Sequence, residues 1–396
     1  MESYSFLLFL AIIMISTKVL GLFSRKIHMP AVVGALAAGV ILGPSGFGMI
    51  TLEGSTGTFL EELAEIGVIL LMFNAGLETD LSELKKNGVG SLVTALIGVV
   101  VPLLGGFLGY AFFFHTDFSD YTELLKAVFV GVVLTATSVS ITVETLREMG
   151  KLKGKVGTTI LGAAILDDII GIIVLTVVTS LKDTSVSPVS VLLKILGYFV
   201  FIAVITVVLV KMKSYVEMQD EKRRVVILSV AFCFVMAYVS EEFFGIADIT
   251  GAYFAGLMLC SMKIGPYVAR RCEIPSYLIF SPVFFASVGL KVTLGGMDAG
   301  IWIFSMILLV IAILSKVVGC GLGARFCGCN GREALQIGVG MVSRGEVALI
   351  VAQKGYASGL LDNQLFAPIV LVVIVTTLLT PILLKVVMKD KEVQTA

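Results

Sequence analysis

Thr158 to Val178 read TTILGAAILDDIIGIIVLTVV, an apolar run broken at its centre by two adjacent carboxylates, Asp167 and Asp168. A charge at the centre of a membrane helix costs roughly 2.5–3.5 kcal/mol on insertion scales, so intramembrane acids mark ion or proton pathways. Neighbouring residues on a helix point about 100° apart. One aspartate can therefore face a cation while the other lines a cavity.

The surrounding sequence makes the membrane reading the natural one. The chain has 396 residues, 57% hydrophobic and 15% charged, with a mean hydropathy of +1.02. Soluble domains average about 45–50% apolar and about 25% charged. The excess is too large for one buried core and implies a polytopic membrane protein. The 29 Lys+Arg balance 29 Asp+Glu, which excludes a nucleic-acid partner. The tail after Met388 is KDKEVQTA, so no soluble C-terminal domain is expected. The start, MESYSFLLFLAIIMISTKVLGLF, lacks a basic leader and a small-residue cleavage site and reads as a first membrane helix. Two of the six cysteines pair up in RFCGCNG, but no histidine accompanies them. Structural zinc wants four ligands, so no metal is assigned there.

A helix needs about 20 apolar residues to cross, somewhat fewer if it packs inside the protein. Thirteen spans meet that pattern, at 5–22, 30–45, 57–77, 90–114, 124–145, 156–181, 188–210, 225–242, 246–262, 275–290, 300–322, 333–354 and 366–388. Loop cations alternate accordingly. One set of loops, including Arg25 and Lys26, Lys85 and Lys86, and Lys222, Arg223 and Arg224, carries 21 Lys and Arg; the opposite set carries only Lys126, Lys182, Lys291 and Lys354. The positive-inside rule then puts the C-terminus in the cytoplasm and the N-terminus outside. Four cations remain inside helices: Lys18, Lys194, Lys316 and Arg344. Lys18 and Lys194 lie near span ends and can snorkel. Lys316, in VIAILSKVVGCGLGA, lies deeper. It can snorkel as well, but the small residues Gly319, Gly321 and Gly323 favour close packing and a buried ammonium paired with Asp167.

Two spans read as poor helices. LTATSVSITVETL carries Thr137 and Ser138 among six hydroxyl residues, and GVGMVSRGEVALI carries Arg344 and Glu346 among glycines. The hydroxyls can bond between helices, or the segments can unwind where the freed backbone lines a cavity. Arg344 and Glu346 can form a local ion pair or join a site. The two spans are the fifth and the twelfth, so they cross in opposite senses. Thirteen spans divide as six, one linker and six, and corresponding interrupted helices in two halves are the sign of an inverted-repeat secondary transporter.

ATSVSIT, AAILDDIIG, GAYFAGL, PVFFASVGL, SKVVGCGLGA and SRGEVALIVA resemble, in order and across the membrane region, the monovalent cation:proton antiporter-2 family. Within it, the paired aspartates and the lysine resemble the NapA-type bacterial sodium/proton antiporters. The resemblance implies an all-α fold of two six-helix inverted repeats, approximately 5–181 and 225–388, joined by a linker helix at 188–210. It implies a homodimer in which a core domain moves like an elevator. Asp168 would be the main carboxylate for Na+ and protons, Asp167 would pair with Lys316, and Thr137 and Ser138 would lie at the unwound crossing. Arg344 and Glu346 would be structural or gating, and Asp248 in GIADITGAYFAG has no assigned role.

The expected activity is exchange of a monovalent cation, Na+ and also Li+, for protons across the cytoplasmic membrane, in the electrogenic form given the Asp–Asp pair. A buried carboxylate binds protons more tightly than an exposed one, and its oxygens also suit a hard cation, so the two compete. No GxxxxGK[ST] segment occurs, which leaves an ion gradient as the driving force. A potassium/proton antiporter and, from another class, a cation channel are the alternatives. An intramembrane aspartyl protease is excluded, because adjacent acids cannot face each other, and no enzyme chemistry or cofactor is expected.

Overall fold

The computed structural model describes the chain except residues 1–3, 28, 30, 53, 80, 183–187, 218–222, 292–298, 358, 362 and 390–396. The described residues are helical and contain no strand. In chain order they form α1 (Ser5–Lys26), α2 (Ala31–Leu42), α3 (Gly54–Glu78), α4 (Leu81–Phe114), α5 (Tyr121–Thr135), α6 (Val139–Glu148), α7 (Lys155–Lys182) and α8 (Pro188–Glu217). Then come α9 (Arg223–Phe244), α10 (Asp248–Cys260), α11 (Gly265–Pro275), α12 (Ser281–Leu290), α13 (Ala299–Phe326), α14 (Gly331–Gly340), α15 (Glu346–Ala357) and α16 (Asn363–Met388).

Among the described residues, nine helical stretches are long and apolar enough to cross a membrane, and α2 and α10 are shorter apolar helices. The thirteen spans expected from the sequence are not all of that kind. The twelfth is divided between α14 and α15, of 10 and 12 residues. The tenth differs in its start. The stretch read as a loop before it is helical from Gly265, and a π turn at Ser276–Phe280 joins α11 to α12. Pro275 ends α11. Proline has no N–H to give the ladder, and wide turns collect at such interruptions.

Local chemistry sets several helix starts. The Asp120 side chain accepts from the Thr122 and Glu123 N–H groups at the head of α5. Asn330 and Glu333 form a reciprocal capping box at α14.

Two apolar clusters organise the packing. One gathers Phe129 and Val133 of α5, Phe304 and Leu308 of α13, Ala352 of α15 and Ile369 of α16. The other gathers Ile13, Leu36, Phe73, Met236, Tyr253 and Phe284 from α1, α2, α3, α9, α10 and α12, and reaches Ile141 and Val143 of α6. Helix pairs follow suit: α4 packs on α13, α5 and α7, and α3 packs on α10 and α12. Leu8, Val200, Ile227 and Val310 remain exposed on the outer faces of α1, α8, α9 and α13, as lipid-facing surfaces are. In lipid there is little hydrophobic drive between helices, so close backbone approach carries the association. Gly76 of α3 and Gly256 of α10 are such a pair. A Cβ on either would collide with the other helix's backbone, at the carbonyls of Tyr253 and Phe73 respectively.

Candidate functional site: a buried Asp–Lys pair beside two crossed helix breaks

α7 is a 28-residue helix with the two aspartates near its middle. Asp167 is 1% exposed, Asp168 5%, and Lys316 on α13 is fully buried. The Lys316 ammonium donates to both oxygens of Asp167, with Nζ 3.0 Å from Oδ1 and 3.1 Å from Oδ2. α4 lies between, packed on both helices. Small residues of α13 let α4 approach closely beside the ammonium: Gly319 sits against the Ile97 carbonyl, and Gly323 against Thr94. Lys316 therefore does not snorkel. Burying both charges is costly, and only pairing with good geometry offsets it.

The two hydroxyl- and glycine-rich spans are unwound where they meet. α5 stops at Thr135 and α6 starts at Val139, while α14 stops at Gly340 and α15 starts at Glu346. The freed backbone is satisfied across the crossing rather than by solvent. Ser138 N–H donates to the Ser343 carbonyl at 2.7 Å, and the Ser343 hydroxyl donates back to the Ser138 carbonyl at 2.8 Å. Thr142 donates to the Gly340 carbonyl at 2.8 Å, and Thr137 reaches the Met341 carbonyl at 3.4 Å. The approach is tight enough that a Cβ on Gly345 would lie 2.6 Å from the Ser138 hydroxyl oxygen. This is what lets broken backbone exist at membrane depth.

Arg344 ties the crossing to its surroundings. It is fully buried. Its guanidinium donates to the carbonyls of Leu134 at 2.8 Å, Ala312 at 3.0 Å and Val342 at 3.1 Å. Leu134 is in the last turn of α5, the negative end of a half-helix, where a cation is stabilising. Ala312 is one turn from Lys316. The Arg344 carbonyl accepts from Thr377 of α16. The bond to Ala312, on the same face of α13 one turn before Lys316, places the crossing beside the Asp–Lys pair.

The structure thus brings Asp167, Lys316, Thr137, Ser138 and Arg344 together, with Asp168 on the next position of α7. Asp248 lies elsewhere, at the first turn of α10, where its carboxylate accepts from the Ile249 N–H. It takes no part in the hydrogen bonds of the crossing. The Glu346 side chain lies outside the described residues. Ser343 and Thr377 make hydrogen bonds at the crossing that residue-by-residue reading passed over. Ser343 stands next to Arg344 in MVSRGE and is as hydroxylic as Ser138. The Thr376–Thr377 pair at the end of the aliphatic run Ile369–Val375 was the other available signal.

Buried acids on α7 and a buried lysine on α13, set beside two unwound helices, suit a membrane protein that handles small ions. Comparison with known proteins specifies the family. The transmembrane sodium/hydrogen exchanger family matches residues 9–390, and the chain belongs to it. A Bacillus cereus relative, "Na(+)/H(+)-K(+) antiporter GerN", is 40% identical over 388 residues, covering 96% of each chain. An Enterococcus hirae relative, "Na(+)/H(+) antiporter", is 38% identical over 95% of this chain and 96% of its own. The solved structure of the sodium proton antiporter MjNhaP1 from Methanocaldococcus jannaschii superposes with a TM-score of 0.71 at 18% identity, over 98% of this chain and 97% of its own. That likeness speaks to the fold.

Proposed function

We propose that the chain is a secondary antiporter that exchanges Na+, and also Li+, for protons across the cytoplasmic membrane. The observation that carries this reading is the fully buried Asp167–Lys316 pair beside two interrupted helices. Asp168 is the carboxylate for which cation and proton compete. Thr137 and Ser138 offer hydroxyl and carbonyl oxygens to a desolvated cation. Asp167 and Lys316 supply the second exchangeable charge.

The finer assignment is to the NapA-like branch of the monovalent cation:proton antiporters. It comprises thirteen spans in two inverted six-helix repeats, 5–181 and 225–388, with the linker at 188–210. The half containing α4, α5, α7 and α13 moves as an elevator against a dimeric half built on α1, α3 and α10. The N-terminus is outside and the C-terminus cytoplasmic.

Charge counting makes the exchange electrogenic. With Asp167, Asp168 and Lys316 all ionised the site carries one net negative charge, and a bound monovalent cation neutralises it. On the return, protonation of both acids beside an ammonium leaves one positive charge. Each charge moved couples to the potential by about 2.3 kcal/mol per 100 mV.

Potassium is the second reading for the cation, because the name of the Bacillus cereus relative includes it. Reconstituted protein with an entrapped pH dye, given sodium, lithium and potassium in turn, tests both. Sodium- and lithium-driven proton movement that responds to a valinomycin-clamped potential is expected. Cation flux without proton movement refutes exchange in favour of a channel, and indifference to the potential refutes the electrogenic cycle.

A further inference from the structure

The last turn of α6 carries charges that the ion site does not use. Arg147 reaches two other helices of the apolar cluster that α6 joins. Its Nη2 lies 2.8 Å from Glu78 of α3 and 3.3 Å from Glu273 of α11. Next to it, Glu148 accepts from the Ala31 N–H at the start of α2 at 2.7 Å and faces Arg25 of α1 at 3.8 Å. Four helices are thus gripped by two consecutive residues of the helix whose other end is the Ser138 crossing. Glu144, one turn earlier, completes the set, 3.9 Å from Arg147.

The same seam is loosely filled. A cavity of about 290 Å³ lies between α1, α2, α6 and α12, lined among others by Thr17, Glu144, Glu148, Tyr277 and Phe285. A second, of about 170 Å³, lies under the charges and is lined by Arg147, Glu148, Glu273 and Ser276. Elsewhere helices meet backbone to backbone, as at Gly76 and Gly256. Protein interiors are normally close-packed, and helix contacts in lipid rely on that packing. A seam that keeps voids and is held by charge pairs is suited to open.

We infer that Arg147 and Glu148 form an ionic latch that holds the α6 end of the moving half against α1, α2, α3 and α11. The latch must release before that half can move. By the loop-cation count this is the cytoplasmic side. The inference rests on the exchange reading only for its transport arm. The labelling arm below needs no transport.

Two experiments test it. In protein with Cys260→Ser and Cys327→Ser, a cysteine at Ser276, which is 2% exposed, reports on the seam through its reaction with a membrane-impermeant thiol reagent. With Arg147 intact the reaction is slow. Adding Arg147→Gln is expected to raise its rate about fivefold or more, as the open population grows, with Arg147→Lys in between. Glu273→Gln, which removes one arm at a half-exposed partner, gives a smaller rise and serves if Arg147→Gln fails to fold. Unchanged labelling in both Gln variants overturns the latch. In the same background, Ala31→Cys with Glu148→Cys is joined by a short reducible thiol bridge. Bridging is expected to stop cation/proton exchange, and reduction to restore it. Exchange at the unbridged rate with the bridge demonstrably formed overturns the requirement for release. If no variant exchanges but labelling rises as stated, the exchange reading fails and the latch stands.

Discussion

Removing one member of the Asp167–Lys316 pair should destabilise the protein in a way that depends on which member is lost. Both side chains are fully buried, and breaking such a pair leaves an uncompensated charge worth about 3–5 kcal/mol. That penalty has a ceiling, because an orphaned ion can be neutralised instead. Starting from reference side chains at pH 7, neutralising a lysine costs about 4.6 kcal/mol and an aspartate about 4.2 kcal/mol. The ceiling moves with pH. For a lone aspartate it falls to about 1.5 kcal/mol at pH 5, and for a lone lysine to about 1.9 kcal/mol at pH 9. Lys316→Gln should therefore recover stability in acid, and Asp167→Asn should recover it in alkali. The double variant carries no orphan and should lose only about 1–2 kcal/mol, the scale of a hydrogen bond remade between amides. Strict additivity would instead give about 6–10 kcal/mol. Unfolding of the four proteins in mixed micelles at pH 5, 7 and 9 checks both statements. Additive losses, or single variants whose losses move the same way with pH, would refute the pairing as the reason these charges can be buried.

Asp168→Asn should abolish exchange in proteoliposomes while the purified protein stays folded, whereas Asp167→Asn keeps some transport with altered coupling; the reverse ranking would exchange their roles. Arg344→Lys keeps a cation but loses the planar fork that reaches Leu134 and Ala312 together. A loss of about 2–4 kcal/mol in the same unfolding assay is expected, from charged hydrogen bonds worth about 1.5–3 kcal/mol each, and full retention of stability would remove Arg344 from the crossing's support. At the start of α14, the hydrogen bond from Lys155 and that from the Asn330 N–H hold the Glu333 carboxyl below its ordinary range. A lowered value means its stabilisation is present above the unfolded glutamate's range and is lost as pH falls through the folded value. Because Lys155 is 40% exposed, the amount is at most about 1 kcal/mol, and Glu333→Gln should flatten that acid-side slope.

The sequence alone determined the membrane class, because hydropathy and loop-cation alternation act through composition and need no contacts. It also singled out Asp167, Asp168 and Lys316, since an ionisable residue inside an apolar run is conspicuous wherever it ends up. The hydroxyl- and glycine-rich stretches marked α5–α6 and α14–α15 as interrupted, because weak helix propensity is local. What the chain could not show from its order is that these interruptions satisfy one another. The Ser138–Ser343 exchange of hydrogen bonds joins residues 205 apart, and Arg344 serves carbonyls on α5 and α13 that lie 210 and 32 residues away. The start of the tenth span was hidden for a different reason: the Gly265–Pro275 segment is polar enough to read as a loop, and in the fold it is a helix packed on α3 and α9. Asp248 looked as anomalous as the other buried acids in one dimension, yet the fold sets it on α10, away from the crossing's hydrogen bonds. Which buried charges share a site is settled by helix packing, because partners hundreds of residues apart meet only where small side chains let their backbones approach.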